Sequence, residues 1–341
     1  MKSTKFVVNV FLLLVLFIVY WRQKLAMDQL EAEAEGLRQS SLKGGVAGAV
    51  LFPSLENVLP HLRGLLNSPA LEPLFVLPNR RLPSVKLVIG MPTIERASNV
   101  SYLSKTLRMF VDRADPVHLN ATRIVVMISH EKGTLSPWVQ ETLVNLKTQF
   151  DTEIESGFIQ VIGLPPAFLS PDLHSITPTL GDDQHRMYWR SKQNLDFMYL
   201  MSFAAPKGEY YMQMEDDIEP SYKYTRVIFN NLKDPKMAAV RQLQFSYLGS
   251  IGKVMRTAEA PGLILNVAIE WKVKPFDWIL EDYFFSQLCF YGMSKDECTQ
   301  IMKTNRPIIR PHIFQHIGYH SSLNGKIQNL TDKNFKLYLS V

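Results

Sequence analysis

Three consecutive carboxylates, Glu215, Asp216 and Asp217, follow directly on an apolar run at residues 210–214 (YYMQM). Like charges at the end of a buried strand repel one another and lose solvation, so they stay ionised only beside a cation. Hard oxygen ligands suit Mg2+ or Mn2+, ions that commonly bridge substrate phosphates instead of sitting in an all-protein cage. A plain solvated acidic turn satisfies the same three residues. Two histidines four apart, His316 and His320, offer nitrogen ligands, but two imidazoles alone make a poor zinc site. The chain has 2 cysteines, Cys289 and Cys298, which excludes four-thiolate zinc sites and a disulfide-dense scaffold. With eight residues between them, they either close a small loop in an oxidising compartment or remain two separate thiols.

The elements that must position these groups alternate in type. Residues 85–90 (VKLVIG), 123–129 (RIVVMIS), 158–163 (FIQVIG) and 210–214 read as short buried strands. Between them, residues 101–111, 138–150 and 189–204 repeat apolar side chains at helical intervals. Alternating strands and helices predict an α/β fold with a mostly parallel sheet covered on both faces. In such sheets ligands bind beyond the carboxyl ends of the strands, which points to residues 91–96 and 215–218.

Composition and the amino-terminal region bound the compartment. The chain has 341 residues, 46% hydrophobic and 20% charged, which excludes wholesale disorder and a multi-span transporter. Its net charge is +5 without a basic stripe, which argues against nucleic-acid binding. Residues 6–21 (FVVNVFLLLVLFIVYW) are apolar except for Asn9 and are flanked by Lys2, Lys5, Arg22 and Lys24. Sixteen residues is short against the ~17–25 of a usual span, but workable in a thin bilayer. The core ends in bulky and charged residues rather than the small ones a signal peptidase needs, which favours an uncleaved signal-anchor. Three acceptor sequons, at Asn99, Asn120 and Asn329, lean towards a lumenal body. The expected organisation is a cytosolic tail at 1–5, a transmembrane anchor at 6–21, a proline-punctuated stem at 22–83 and a lumenal domain at 84–341. In the lumen, the abundant phosphate-bearing substrates are nucleotide sugars.

Six segments carry a resemblance: residues 90–96 (GMPTIER), 188–197 (YWRSKQNLDF), 210–218 (YYMQMEDDI), 244–253 (QFSYLGSIGK), 274–278 (KPFDW) and 314–333 (FQHIGYHSSLNGKIQNLTDK). Together, and in this order, they resemble the N-acetylglucosaminyltransferase IV family, whose members add β1,4-linked GlcNAc to the α1,3-arm mannose of N-glycans. The resemblance implies a GT-A-type glycosyltransferase domain anchored in the Golgi membrane. It further implies UDP-GlcNAc as donor, an N-glycan on a glycoprotein as acceptor, and Mn2+ or another divalent cation held through the acidic triplet. Asp217 would be the principal metal ligand, completed by His316, and Asp216 would face the donor's sugar or ribose. Thr93 and Arg96 would contact uridine and diphosphate, and Arg190 and Lys192 would neutralise phosphate. Tyr210, Tyr211, Tyr247 and Trp278 would either stack on sugar or fill the core.

The chain departs from the family pattern where relatives read LEFS, with Gln244 replacing a carboxylate that can take a proton. Relatives carry Asp-His where this chain has Glu281 and Asp282, leaving Asp277 and Glu281 as candidate catalytic carboxylates for an inverting displacement. Relatives also continue into a carbohydrate-binding-like module beyond the point matching Val341. Two expectations follow: a GlcNAc transferase acting on core mannose, or a catalytically weak or inactive paralogue that regulates other Golgi N-acetylglucosaminyltransferases by association.

Overall fold

Four strands run parallel through the centre of a seven-stranded sheet, and their carboxyl ends open onto one edge. The computed structural model describes Trp21, Leu51 and residues 54–237 and 239–339. The strands are β1 (Val76–Leu77), β2 (Val85–Ile94), β3 (Thr122–Ser129), β4 (Ile159–Gly163), β5 (Gly208–Gln213), β6 (Ile218–Pro220), β7 (Gln242–Gln244), β8 (Lys253–Arg256) and β9 (Phe314–His316). The large sheet has the order β1-β4-β3-β2-β5-β8-β7, and β6 pairs with β9 beside it. β2, β3, β4 and β5 pair in parallel, whereas β1, β8 and β7 join antiparallel at the two edges. The expected mostly parallel sheet is thus mixed. β7 and β8 are separated by only eight residues, too few for the crossover that a parallel pairing requires.

Every residue of β3 is buried, as a central parallel strand with both faces covered must be. Alternate side chains feed two cores. Val88, Val125, Met127 and Ile162 pack on one face, and Leu87, Ile89, Ile124 and Val126 on the other. The helices are α1 (Leu55–Val58), α2 (Leu103–Arg113), α3 (Pro137–Gln149), α4 (Asp151–Ser156), α5 (Gln184–Ala204), α6 (Tyr224–Lys233), α7 (Ala260–Glu270), α8 (Phe276–Leu288) and α9 (Lys295–Asn305). The longest, α5, starts where the Asp183 carboxylate accepts the Arg186 N–H at 2.7 Å. From Leu195 to Ala204 it is buried on all sides, between the sheet and α7.

The expected stem ends earlier than residue 83. Leu55, Leu59, Leu62 and Leu71 are buried in the same core as α5 and α7, and β1 adds an edge to the sheet. The prolines that suggest a tether, Pro60 and Pro69, begin short 3-10 turns at Pro60–Leu62 and Pro69–Leu71. The anchor expected at 6–21, Trp21 apart, and most of the remaining stem lie outside the described residues. Among the described residues no helix is long and apolar enough to cross a membrane. Cys289, just after α8, is joined to Cys298 in α9, so of the two readings of these cysteines it is the small loop that forms.

The last segment returns across the sheet edge. β9 pairs with β6 through Ile218↔His316 and Pro220↔Phe314. Asp332 then pins it: one carboxylate oxygen bonds His312 Nδ1 at 2.7 Å, Ser246 Oγ at 3.2 Å and the Tyr247 N–H at 3.3 Å.

Candidate functional site

β2 and β5 are parallel neighbours, with Gly90 opposite Gln213, so residues 215–217 leave the sheet alongside the end of β2. There a cleft of about 880 Å³ opens, with Arg96, Asp216, Asp217, Trp189, Lys192, Asp277 and Trp278 among its walls. Its size falls within the usual range for small-molecule sites.

At its floor Arg96 and Asp216 form a two-pronged pair. Nη1 donates to Oδ2 at 2.9 Å and Nη2 to Oδ1 at 2.5 Å, while the Thr93 hydroxyl donates to Oδ2 at 2.6 Å. Burial opposes the charge on Arg96, but Asp216 and then Asp217 outweigh it and raise the guanidinium's proton affinity. Arg96 and Asp216 therefore balance each other's charge, while Arg96 Nε stays buried without a partner. Thr93 is buried behind Asp216, and both carboxylate oxygens of Asp216 are spent on the protein. These three residues brace the floor of the cleft, with Arg96 and Asp216 among its lining residues.

Asp217 is different. Its Oδ2 lies 3.3 Å from both Arg96 Nη2 and His316 Nε2, while its Oδ1 is buried without a partner. Ligand atoms of Glu215, Asp217 and His316 all lie within 4.8 Å of one another. Burial first, then the charge of Asp217, pushes the Glu215 carboxyl up to about 7. Burial resists a charge on His316, yet the hydrogen bond and charge of Asp217, with Glu215 behind it, raise its pKa above the usual imidazole value. A Cβ at Gly318 would collide with the Asp217 carboxylate, so glycine is what lets the chain approach here. Two carboxylates, an imidazole and an orphaned buried oxygen fit a divalent cation of the Mn2+ or Mg2+ class.

The helical wall presents fewer free cations than expected. Lys192 donates to Ser129 Oγ at 2.6 Å and to Asp196 Oδ2 at 2.7 Å, so its charge is balanced within the fold. Arg190 donates through Nε to Asp182 at 2.6 Å and through Nη2 to Thr179 Oγ1, leaving Nη1 buried and unpartnered. The facing wall is the start of α8. Phe276 packs edge-on against Phe197 at 4.7 Å, and the Asn194 amide donates to the carbonyls of Trp271 at 2.9 Å and Lys274 at 2.8 Å. That bracket presents Asp277 and a 53% exposed Trp278 to the cleft.

Other expected residues lie elsewhere. Glu281, one turn beyond Asp277, does not line the cleft; it forms a two-pronged pair with Arg306 at 2.6 and 2.5 Å. Gln244 also lies away from it, accepting from Lys253 Nζ at 3.0 Å and donating to the Arg306 carbonyl at 2.8 Å. Tyr210 and Tyr211 are core residues, Tyr247 packs on His312, and His320 bonds Tyr102. Of the three sequon asparagines, all exposed, Asn99 does line the cleft, and Asn120 and Asn329 do not. The cation was expected to be held through the acidic triplet with Asp217 and His316 as named ligands; the structure sets Glu215 beside those two, while Asp216 turns to Arg96. The expected site residues omitted Asp196, four residues from Lys192 and on its helical face.

The region described as "MGAT4 conserved region" matches residues 52–335. The chain belongs to the MGAT4 family. It is 37% identical over 283 residues to alpha-1,3-mannosyl-glycoprotein 4-beta-N-acetylglucosaminyltransferase A of Bos taurus, covering 83% of this chain and 51% of that protein. To the B protein of Danio rerio it is 34% identical over 284 residues, covering 83% and 50%. The chain thus spans about half the length of the curated MGAT4 relatives it matches. Among solved structures, S. aureus TarS has a TM-score of 0.35 at 11% identity, covering 65% of this chain and 43% of that one. Mouse xyloside xylosyltransferase 1 has a TM-score of 0.35 at 10% identity, covering 66% and 86%.

Proposed function

We propose that this MGAT4-family chain is a GT-A-type domain facing the Golgi lumen, held by a single-pass anchor, that binds UDP-GlcNAc and transfers GlcNAc to a core mannose of N-glycans. The observation that carries this reading is the unpartnered, buried Asp217 Oδ1 set between Glu215 and His316 at the carboxyl edge of parallel strands. Glu215, Asp217 and His316 would hold the divalent cation. When bound, that ion supplies charge neutralisation for the departing diphosphate.

The chain's own residues supply the rest. The Arg96–Asp216 pair clamps the ends of β2 and β5 together, fixing Asp217 in place. Arg190, with one guanidinium nitrogen unspent, would donate to a phosphate oxygen. Asp277 is the one of the two expected carboxylates that faces the cleft, and it would accept the proton of the mannose hydroxyl as that oxygen attacks. Trp189 and Trp278 offer flat apolar faces to sugar rings. In the second reading, the chain is an inactive paralogue that regulates other Golgi N-acetylglucosaminyltransferases by association. What favours it is the internal neutralisation of Arg96 and Lys192, which leaves a donor diphosphate fewer free cations.

The decisive measurement is calorimetry of the full chain with Mn2+ and UDP-GlcNAc. Asp217→Ala is expected to weaken donor binding by about 100-fold or more, the scale of losing a cation's charge-assisted contacts. Equal heats from both proteins would overturn the reading. Turnover on a biantennary acceptor, read by product mass, separates transferase from regulator.

A further inference from the structure

The loop between β2 and α2 is fixed at both ends and free in the middle. At one end Arg96 is locked to Asp216, and its guanidinium lies 5.2 Å from the centre of the Tyr102 ring. At the other end the Tyr102 hydroxyl accepts the backbone N–H groups of Tyr319 and His320, each at 3.1 Å. Between these anchors Ala97, Ser98, Asn99 and Ser101 are exposed. Asn99 takes φ 54°, a left-handed conformation that asparagine adopts more readily than most residues, and its N–H bonds the Arg96 carbonyl at 2.9 Å. The Asn99 acceptor sequon is thereby held on the wall of the cleft, three residues from the pair that braces its floor.

The other two sequons provide the comparison. Asn329 stands on the rim between Gln328 and Leu330, both of which line the same cleft. Asn120 lies on the turn Pro116–Ala121, at the amino end of β3, whereas the cleft is at the carboxyl ends of the strands. Along an eight-residue strand that is a separation of about 25 Å.

We propose that the N-linked oligosaccharide carried by Asn99 occupies the mouth of this chain's own cleft and competes there with any free acceptor glycan. This inference rests on the proposed lumenal, glycan-binding reading of the site. The mannose core of the attached glycan is the same chemistry that site would recognise, and Trp189 and Trp278 give it surfaces to stack on. A short covalent tether holds its occupant at an effective concentration in the millimolar range, so a free acceptor at micromolar concentration is outcompeted. No bond is made or broken in this arrangement.

The test uses the full chain made in the mammalian secretory pathway. Glycopeptide masses give occupancy, and peptide N-glycosidase applied to the native protein gives a release rate at each site. Binding of a free biantennary N-glycan is then measured for wild type, Asn99→Gln, Ser101→Ala and Asn120→Gln, with UDP-GlcNAc plus Mn2+ binding measured separately. Asn99 should be occupied and released at least ~10-fold more slowly than Asn120; both variants that destroy the Asn99 sequon should bind the free glycan ~10-fold tighter, and Asn120→Gln should not. A bare Asn99, release at the rate of Asn120, or unchanged glycan affinity in Asn99→Gln would each overturn the proposal. If UDP-GlcNAc binds but the Asn99 glycan behaves like that on Asn120, the functional reading stands and this one falls. If Asn99 is protected while no donor binds, the glycan-binding part of that reading stands with this inference and the donor-binding part falls.

Discussion

Lys253 is the buried cation whose environment bears most directly on Gln244. Burial pushes its ammonium down to about 8, against the usual lysine value near 10.5. Its neighbours are the neutral Gln244 oxygen at 3.0 Å and the Ser246 carbonyl at 2.6 Å. Between these two pKa values the unfolded chain binds the proton and the folded chain does not, so stability rises with pH across that window, by on the order of 1–3 kcal/mol. Urea unfolding at about pH 7.5 and about pH 9.5 should show the rise. Gln244→Glu sets a carboxylate against Nζ, raises the lysine and should flatten that profile. Donor affinity should stay within about twofold, because residue 244 lies off the cleft; a tenfold gain would place it at the donor site. Gly318→Ala should cost about 1–3 kcal/mol in thermal unfolding and weaken Mn2+ binding, since the new methyl must displace Asp217. The acidic triplet was legible in the sequence as three carboxylates directly after an apolar run, whereas His316 entered as its companion ligand only through the family resemblance. That Asp216 would be consumed by Arg96 was not legible, because the two are 120 positions apart and only the pairing of β2 with β5 brings them together.

The central strands were equally legible: β2, β3, β4 and β5 are short runs rich in Val, Ile, Met and Tyr that need no partner to be recognised. The edges were not. β7 is a three-residue Gln-Leu-Gln strand whose burial comes entirely from its neighbours. The segment before β1 did carry a signal, leucines at 55, 59 and 62 in helical spacing, but the intervening prolines suggest a tether. Leu62→Ala should therefore cost roughly 2–4 kcal/mol in chemical denaturation, as for any fully buried leucine. A chain begun at residue 84 should lose cooperative unfolding, whereas one begun at 54 should keep it. Cooperative unfolding of the shorter chain would show that α1 is dispensable to the core.

For the molecule as a whole, the compartment decides whether the glycan chemistry is available. Glycans on the three exposed sequons and a lasting cysteine pair would both require the body to meet the secretory lumen, as proposed above. Expressed in mammalian cells, the full chain should lose mass on glycosidase treatment, and it should run differently with and without reductant. No change in either would put the body on the cytosolic face and remove the nucleotide-sugar reading with it. The pairing of β9 with β6 also has a bearing on time. His316 follows Asp217 by ninety-nine residues, and at ~5–20 residues per second the ribosome delivers it roughly 5–20 s later. Throughout that interval the nascent polypeptide displays Glu215 and Asp217 without their imidazole neighbour, so its capacity to capture a cation arrives abruptly, late in synthesis.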